Sequence, residues 1–117
     1  MEILLVRNNS AKWGIDGHLY INRKRICDTV EHPRCHLPHG TYEIINHEFE
    51  IINGEWTIPS PFRHGDGALA SIHGEIIVGQ SSIPGLVTQS AATYDRLYER
   101  LKKAWQRGTP VLLKIVG

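Results

Sequence analysis

Short apolar runs, either continuous or alternating with polar residues, recur along most of the chain and are separated by polar or glycine-containing segments. Continuous runs of this length are typical of buried β-strands, and alternating runs are typical of strands with one exposed face. The pattern predicts strands over Glu2–Val6, His18–Asn22, Ile26–Val30, Thr41–Asn46, Ile76–Val78 and Val111–Val116.

Turn-forming residues predict where these strands reverse direction. Asp16–Gly17 predicts a turn ahead of the second strand, and the polar segment Asn22–Arg25 predicts the turn of a hairpin. Asn53–Gly54 favours the type I′ turn that closes a two-residue hairpin between the segments HEFEII and EWTIP. Residues Glu31–Gly40, which contain two prolines, predict a loop.

One helix is predicted near the end of the chain, over Ala91–Arg107. Apolar residues recur there at helical spacing, at Tyr94, Leu97, Tyr98, Leu101, Ala104 and Trp105. Ser90 is the predicted N-cap, Gly108 the residue after the last turn, and Pro110 the end of any continuation. The basic side chains predicted on the outer face are those of Arg96, Arg100, Lys102 and Lys103.

These elements predict a single domain over residues 1–117 that is mainly β (β+α). Its expected architecture is a small twisted sheet or partly open barrel with one C-terminal helix packed on it. The composition is that of an ordinary soluble globular protein, with 41% hydrophobic and 21% charged residues. A formal net charge of +1 gives no reason to expect nucleic acid or an anionic membrane as a partner.

The start of the chain has no basic segment followed by an apolar run, so no secretory signal is predicted. No apolar stretch has the length of a transmembrane segment either. The expected location is therefore the cytoplasm, with export by a route that uses no cleaved signal left open.

The cysteines and most of the histidines predict little chemistry on their own. Cys27 and Cys35 cannot form an all-cysteine zinc site, and the sequence favours two thiols without deciding against a disulfide. Cys35 clusters with histidines in one loop, where an exposed polar loop is a better interpretation than a zinc site; these histidines are His32, His36 and His39. His18 and His47 are expected at exposed strand ends.

The segment HGDGALASIHGEIIVG carries the strongest functional pattern, with two similar triplets, His64–Gly65–Asp66 and His73–Gly74–Glu75. Residues two apart on a strand share a face, so each triplet can direct an imidazole and a carboxylate to one point. One hypothesis is a zinc site formed by His64, Asp66, His73 and Glu75 with a position open for water. Another is acid/base chemistry, with His64 as a base oriented by Asp66. The simplest alternative is polar residues that bond to backbone at loop ends.

Three segments of the chain resemble a small bacterial and phage domain family that has no assigned function. The segment GHLYINRKRICDTVEHPR resembles the family's run G-x-L-y-i-x-x-x-x-i-C-x-T-x-E-x-P, and LPHGTYEI resembles its IPxGxYev element. The segment HGDGALASIHGEIIVG is similar to the family's centre, HPGNTxxDTEGCxxVG. With the predicted helix and last strand, the resemblance covers nearly the whole chain. The cysteine of the first run is Cys27, which is expected to be a small buried residue.

The central segment also resembles, more distantly, the HG…SHGCxR centre of L,D-transpeptidases. In those enzymes a cysteine attacks a cell-wall peptide and a histidine activates the cysteine. His64 falls on that histidine, His73 on the residue before the motif's glycine, and Gly74 on the glycine itself. Glu75 falls on the cysteine and Ile77 on the arginine. A glutamate cannot replace a thiolate nucleophile in acyl transfer.

The resemblance implies a transpeptidase-like groove that lacks the cysteine nucleophile and binds or modifies a cell-wall-related peptide or glycan. If the groove retains general acid/base chemistry, His64, His73 and Glu75 are its candidate catalytic residues. Two alternatives stay open at this point: a metal-dependent hydrolase that uses Zn²⁺, and a structural or interaction module without catalysis. Whether the protein is an enzyme is therefore open.

Overall fold

A computed structural model describes residues 1–11, 14–46, 57–65, 74–83 and 85–117. The strands are β1 (Glu2–Ala11), β2 (Gly14–Ile21), β3 (Lys24–Glu31), β4 (Gly40–Ile45), β5 (Thr57–Pro59), β6 (Phe62–Arg63), β7 (Ile76–Ile83), β8 (Leu86–Thr88) and β9 (Leu112–Val116). The helix α1 spans Ser90–Gln106. The predicted hairpin turn at Asn53–Gly54 lies outside the described residues.

The strands form an open, curled sheet, a half-barrel on which the C-terminal helix packs, as the sequence predicts. Their order is β5-β4-β9-β1-β2-β3-β7-β6, and β8 pairs with β7 outside this path. Strands β1, β2 and β3 are a continuous antiparallel meander, whereas β9 joins β1 in parallel. Strand β9 therefore lies beside β1 in the middle of the sheet.

The core lies between the concave face of the sheet and α1. Alternate residues of the central strands point inward because side chains two apart share one face of a strand. The fully buried side chains include those of Ile3, Leu5, Leu19, Ile21, Leu113 and Ile115 from the sheet and Leu101 from the helix. Phe62 of β6, which has no exposed surface, packs in the same cluster.

Helix α1 buries one stripe of residues three or four apart, as the sequence predicts, and its apolar members are Leu97, Leu101 and Ala104. The predicted N-cap is wrong by one residue. Gln89 is the N-cap, with φ of 52°, and Ser90 is the first helical residue. The Ser90 hydroxyl instead donates to the Val78 carbonyl at 2.5 Å, because the helix start lies against β7. Gly108 follows the last turn with φ of 70°, as predicted.

The predicted turn at Asp16–Gly17 is wrong, because both residues lie inside β2. Gly17 is a glycine for reasons of packing. A Cβ atom there would lie 2.7 Å from Thr29 Oγ1 on β3. The predicted turn between β2 and β3 is confirmed and is made by Asn22 and Arg23. Both have positive φ, 49° and 72°, as a type I′ turn requires.

The β7–β8 hairpin folds back over the outer face of β3. Val87 of β8 packs with Val30 and Ile77 in a second, smaller buried cluster. The backbone N–H of Gly85, between the two strands, donates to Asp16 Oδ1 at 2.9 Å. Strand β7 extends beyond the predicted Ile76–Val78 to Ile83. Its second half pairs with β8 and is not a core strand, so its sequence lacks the apolar run on which the prediction was based.

Candidate functional site

Two of the four candidate residues, His64 and Glu75, belong to the described part of the chain, whereas Asp66 and His73 lie outside it. His64 is exposed, and its ring centroid lies 5.4 Å from that of Tyr94 on α1. Glu75 is half-buried and directly precedes β7. The parallel pairing of Phe62 with Ile76 offsets His64 from Glu75 by three residue positions, which is about 10 Å along a strand. An offset of three places the two side chains on opposite faces of the strands. Glu75 lies with Arg63 and His64 lies against α1, so the structure does not bring these two candidate residues together.

Arg63 is the residue that contacts Glu75. Its Nε atom lies 3.9 Å from Glu75 Oε1, and the side chains are 36% and 19% exposed. The Nη1 atom of Arg63 donates to the carbonyls of Ser60 and Phe62, each at 2.7 Å. The guanidinium is thus held by its own strand, while its distance to the carboxylate is longer than a hydrogen bond. Both charges remain available to a ligand.

The loop between β3 and β4 contacts Gly74, the residue before Glu75. The Gly74 N–H donates to the Cys35 carbonyl at 3.0 Å, and the Cβ position of Gly74 is 3.4 Å from Leu37. Gly74 has φ of 80°, a conformation that glycine adopts readily. The loop and the turn before β7 therefore form one surface that carries the carboxylate of Glu75.

A buried ion pair anchors this loop to the sheet. Arg7 Nε and Nη2 donate to the two carboxylate oxygens of Glu31 at 2.9 and 2.8 Å, and Nη2 also donates to the Leu37 carbonyl at 2.7 Å. Glu31 has no exposed surface. Because a two-point guanidinium–carboxylate contact fixes both distance and orientation, the pair joins β1, β3 and the loop below the candidate site.

The loop histidines bond to nearby backbone. His32 Nδ1 accepts hydrogen bonds from the N–H groups of Arg34 and Cys35, each at 3.0 Å. His36 Nδ1 lies 3.0 Å from the His32 carbonyl, and His39 is exposed. Within the described ranges, no three His, Cys, Asp or Glu side chains are close enough together to hold a metal ion.

The two cysteines are free thiols, as the sequence favours. Cys27 lies on the concave side of β3 in the core and is 3% exposed. Burial, with a smaller contribution from the neighbouring Asp28 carboxylate, raises the pKa of Cys27 to about 12. This thiol is protonated at neutral pH. Cys27 therefore does not replace the nucleophilic cysteine of the transpeptidase motif, at whose position this chain has Glu75.

Sequence reasoning missed a polar network on the outer face of the sheet. His18 is not at a strand end but inside β2, with Nδ1 2.7 Å from Asp28 Oδ1 and Nε2 2.8 Å from Asn8 Nδ2. Arg25 Nη2 and the Ser81 N–H also donate to Asp28, at 2.5 and 2.8 Å. Because Asn8 occupies Nε2, the His–Asp pair ties strands together and does not present a base to a substrate.

Aromatic side chains continue from His64 along α1. Tyr94 stacks on Tyr98 with centroids 6.0 Å apart, and Tyr98 contacts Trp105 edge to face at 6.4 Å. Trp105, predicted to be a core residue, is partly buried against the core and donates from Nε1 to the Ile44 carbonyl at 3.0 Å. The row extends from the helix start, beside the candidate site, to the helix end.

No family model, curated protein or solved structure matches this chain. In the part of the chain that the structure describes, no helix has the length and apolar character to cross a membrane.

Proposed function

We propose that this protein is a small binding domain that binds a cell-wall-related peptide through the charges of Glu75 and Arg63, without acyl-transfer chemistry. The observation that carries the proposal is the loose pairing of these two side chains, 3.9 Å apart and each partly exposed. Such a pair offers a carboxylate to a ligand amine and a guanidinium to a ligand carboxylate. Cell-wall stem peptides carry both groups.

The fixed position of Arg63 supports this assignment. Its guanidinium donates to two backbone carbonyls of its own segment, so little conformational entropy remains to be lost when a carboxylate binds. Glu75 is held by the backbone on both sides, since Gly74 bonds to Cys35 and Ile76 bonds to the Pro61 carbonyl at 2.9 Å. Both charges are thus presented by backbone that is already ordered.

Binding is favoured over acyl transfer because a carboxylate stands at the position where the resemblance places the nucleophile. The Cys27 thiol is buried, and its pKa of about 12 keeps it protonated. His64 lies on the other face of the strands, against Tyr94 of α1, and the proposed peptide site does not include it.

The test is co-sedimentation of the protein with isolated peptidoglycan, with Zn²⁺ or with a chelator, together with mass spectrometry of the soluble fraction. We expect binding that survives the chelator and releases no fragments. The variants Glu75→Gln and Arg63→Gln should each weaken binding by about tenfold, since each removes a charged hydrogen-bond partner. Glu99→Gln and Arg107→Gln, at exposed positions at or near α1, are the matched controls.

A synthetic stem peptide with a free lysine amine identifies the contact. If Glu75 binds the amine, acetylation of that amine should weaken binding to the wild-type protein and change little for Glu75→Gln. Equal binding by wild-type protein and both site variants would contradict the proposal. Zinc-dependent release of fragments would instead support the hydrolase alternative, with His64, Asp66, His73 and Glu75 as ligands.

A further inference from the structure

A cavity lies between the end of the β2–β3 hairpin and α1, and its lining residues include neither Glu75 nor Arg63. It has a volume of about 380 Å³. Four cationic side chains line it, Lys24 and Arg25 from β3 and Arg96 and Arg100 from α1, and no acidic side chain of the described residues does. The chain as a whole has a net charge of only +1. The positive charge is therefore concentrated at this cavity.

The helix directs its cations to the cavity through its periodicity. Thr93, Arg96, Leu97 and Arg100 follow one another at intervals of three, one and three residues, so they share one side of α1. Arg96 and Arg100 are exposed, as predicted for the outer face. They border the buried stripe of α1 and line the cavity together with residues of the hairpin. Only the tertiary structure brings them beside Lys24 and Arg25.

These cations are poorly neutralised within the protein. Arg25 donates to Asp28 at 2.5 Å. Across the described ranges, no carboxylate lies within ion-pair distance of Lys24, Arg96 or Arg100. Like charges that face one cavity repel one another, and a bound anion removes that repulsion.

Thr93 is a buried polar side chain without a partner beside the four cations. Its side chain lines the cavity and is 4% exposed, yet its Oγ1 atom has no hydrogen-bond partner among the described residues. A helical threonine commonly donates to a carbonyl in the preceding turn, and Thr93 does not. Oγ1 itself has less than 1 Å² of accessible surface, so a ligand oxygen reaches it only after the side chain rotates about χ1. The cost of a buried hydroxyl without a partner favours that rotation.

We propose that this cavity binds a small phosphorylated molecule. The guanidinium groups of Arg96 and Arg100 suit the two-point contacts that phosphate oxygens accept. Lys24 adds a third charge, and the Thr93 hydroxyl donates to a phosphate oxygen once its side chain has rotated toward the cavity. Several cations match a group that carries two or more negative charges better than a single carboxylate. The apolar surface of Ile26 and Leu97 beside them receives the organic part.

The cavity volume argues for a small molecule. It lies at the lower end of the range for small-molecule sites. That is space for a phosphate or diphosphate and a compact attached group. A nucleic-acid strand would instead follow an extended basic surface.

The test is titration calorimetry at low ionic strength with inorganic pyrophosphate and, separately, with a nucleoside diphosphate. We expect saturable binding of one molecule per chain. The double variant Arg96→Gln/Arg100→Gln should lose about tenfold or more in affinity. Lys102→Gln/Lys103→Gln removes the same charge from exposed positions of the same helix and should stay within about twofold of wild type. Tighter binding of the nucleoside diphosphate than of pyrophosphate supports an organic ligand, and equal affinity supports recognition of the phosphate groups alone.

Thr93→Val gives a readout that does not depend on surface charge. Valine has the same shape and needs no hydrogen bond, so the ligand-free variant should unfold about 4 °C higher than wild type. The same variant should bind pyrophosphate about fivefold more weakly. A more stable protein that binds less tightly is expected only if the hydroxyl serves a ligand.

Three results would overturn the proposal. These are the absence of saturable binding of either probe, an equal loss of affinity in the two double variants, and competition at this cavity by an oligonucleotide that binds more tightly than both probes. Glu75 and Arg63 do not line the cavity. The double variant Arg96→Gln/Arg100→Gln should therefore still bind peptidoglycan, so the two proposals can be tested independently.

Discussion

Asp28 is the residue on which the outer face of the sheet depends. Burial opposes ionisation of its carboxyl group, but hydrogen bonds from the Ser81 N–H, from Arg25 and from His18 outweigh that effect and hold its pKa below the ordinary value. The folded protein therefore binds the Asp28 proton less tightly than the unfolded chain does. The carboxylate contributes stability above the unfolded-state pKa, and that contribution is lost as the pH falls through the folded-state value.

The change Asp28→Asn should lower the free energy of unfolding at pH 7 by about 2 kcal/mol, because three donors lose a charged acceptor. The difference from wild type should be smaller at pH 3, because that pH lies below the ordinary carboxyl pKa of 3.8 and the stabilisation by the charge declines there. Urea unfolding at both pH values measures the difference. The control is Asp95→Asn, at an exposed position on α1, which we expect to have little effect at either pH. A difference that is the same at pH 7 and pH 3 would show that charge is not the source of the stability.

At the scale of elements, the β7–β8 hairpin stays on the outer face because β8 approaches β7 closely at Gly79. A Cβ atom on Gly79 would lie 2.7 Å from the Thr88 carbonyl oxygen and 2.8 Å from Val87 Cβ. The first of these atoms belongs to the backbone, which cannot move away without disturbing the pairing of β7 with β8.

The change Gly79→Ala should therefore destabilise the protein by about 1–3 kcal/mol and raise the rate of amide hydrogen exchange in β8. Gly65→Ala is the matched control, since a Cβ atom there would lie 3.5 Å from Ile77, an ordinary contact. Unfolding by urea and exchange measured by mass spectrometry test both expectations. Equal effects of the two substitutions would show that the close approach of β8 does not limit the hairpin.

At the scale of the whole molecule, the Arg7–Glu31 pair holds the end of the half-barrel that carries the candidate peptide site. It connects β1, β3 and the loop before β4 through three hydrogen bonds. A buried ion pair adds little to the free energy of unfolding compared with well-packed apolar residues of similar size. The loss of one partner is nevertheless costly, because it leaves a buried charge without compensation.

Glu31→Leu and Arg7→Met should each lower the free energy of unfolding by about 3 kcal/mol, and the double variant should lose much less than the sum. A double-mutant cycle by urea unfolding measures the coupling. Peptidoglycan binding by the double variant then reports whether the loop is still placed correctly. Strictly additive losses would mean that the two side chains act independently.

Local features of the sequence were enough to predict most elements. The hairpin of β2 and β3 with its turn in the segment Asn22–Arg25, the helix and the last strand follow from periodicity and turn chemistry, which depend on residues close in the chain. The Asp16–Gly17 turn and the Ser90 cap were wrong because tertiary contacts use those residues differently. Gly17 makes room for Thr29, and Ser90 bonds to Val78 across the core.

The mainly β fold with its C-terminal helix can be predicted from the chain alone, because burial patterns repeat with the period of each element. Which polar groups meet depends instead on how the elements pack. A regular two-residue hairpin would pair His18 with Cys27, but a bulge between Leu19 and Tyr20 pairs it with Asp28. In the same way, the cationic cavity joins residues about seventy positions apart. Cross-strand register and helix placement depend on the whole packed core, so no local pattern contains them.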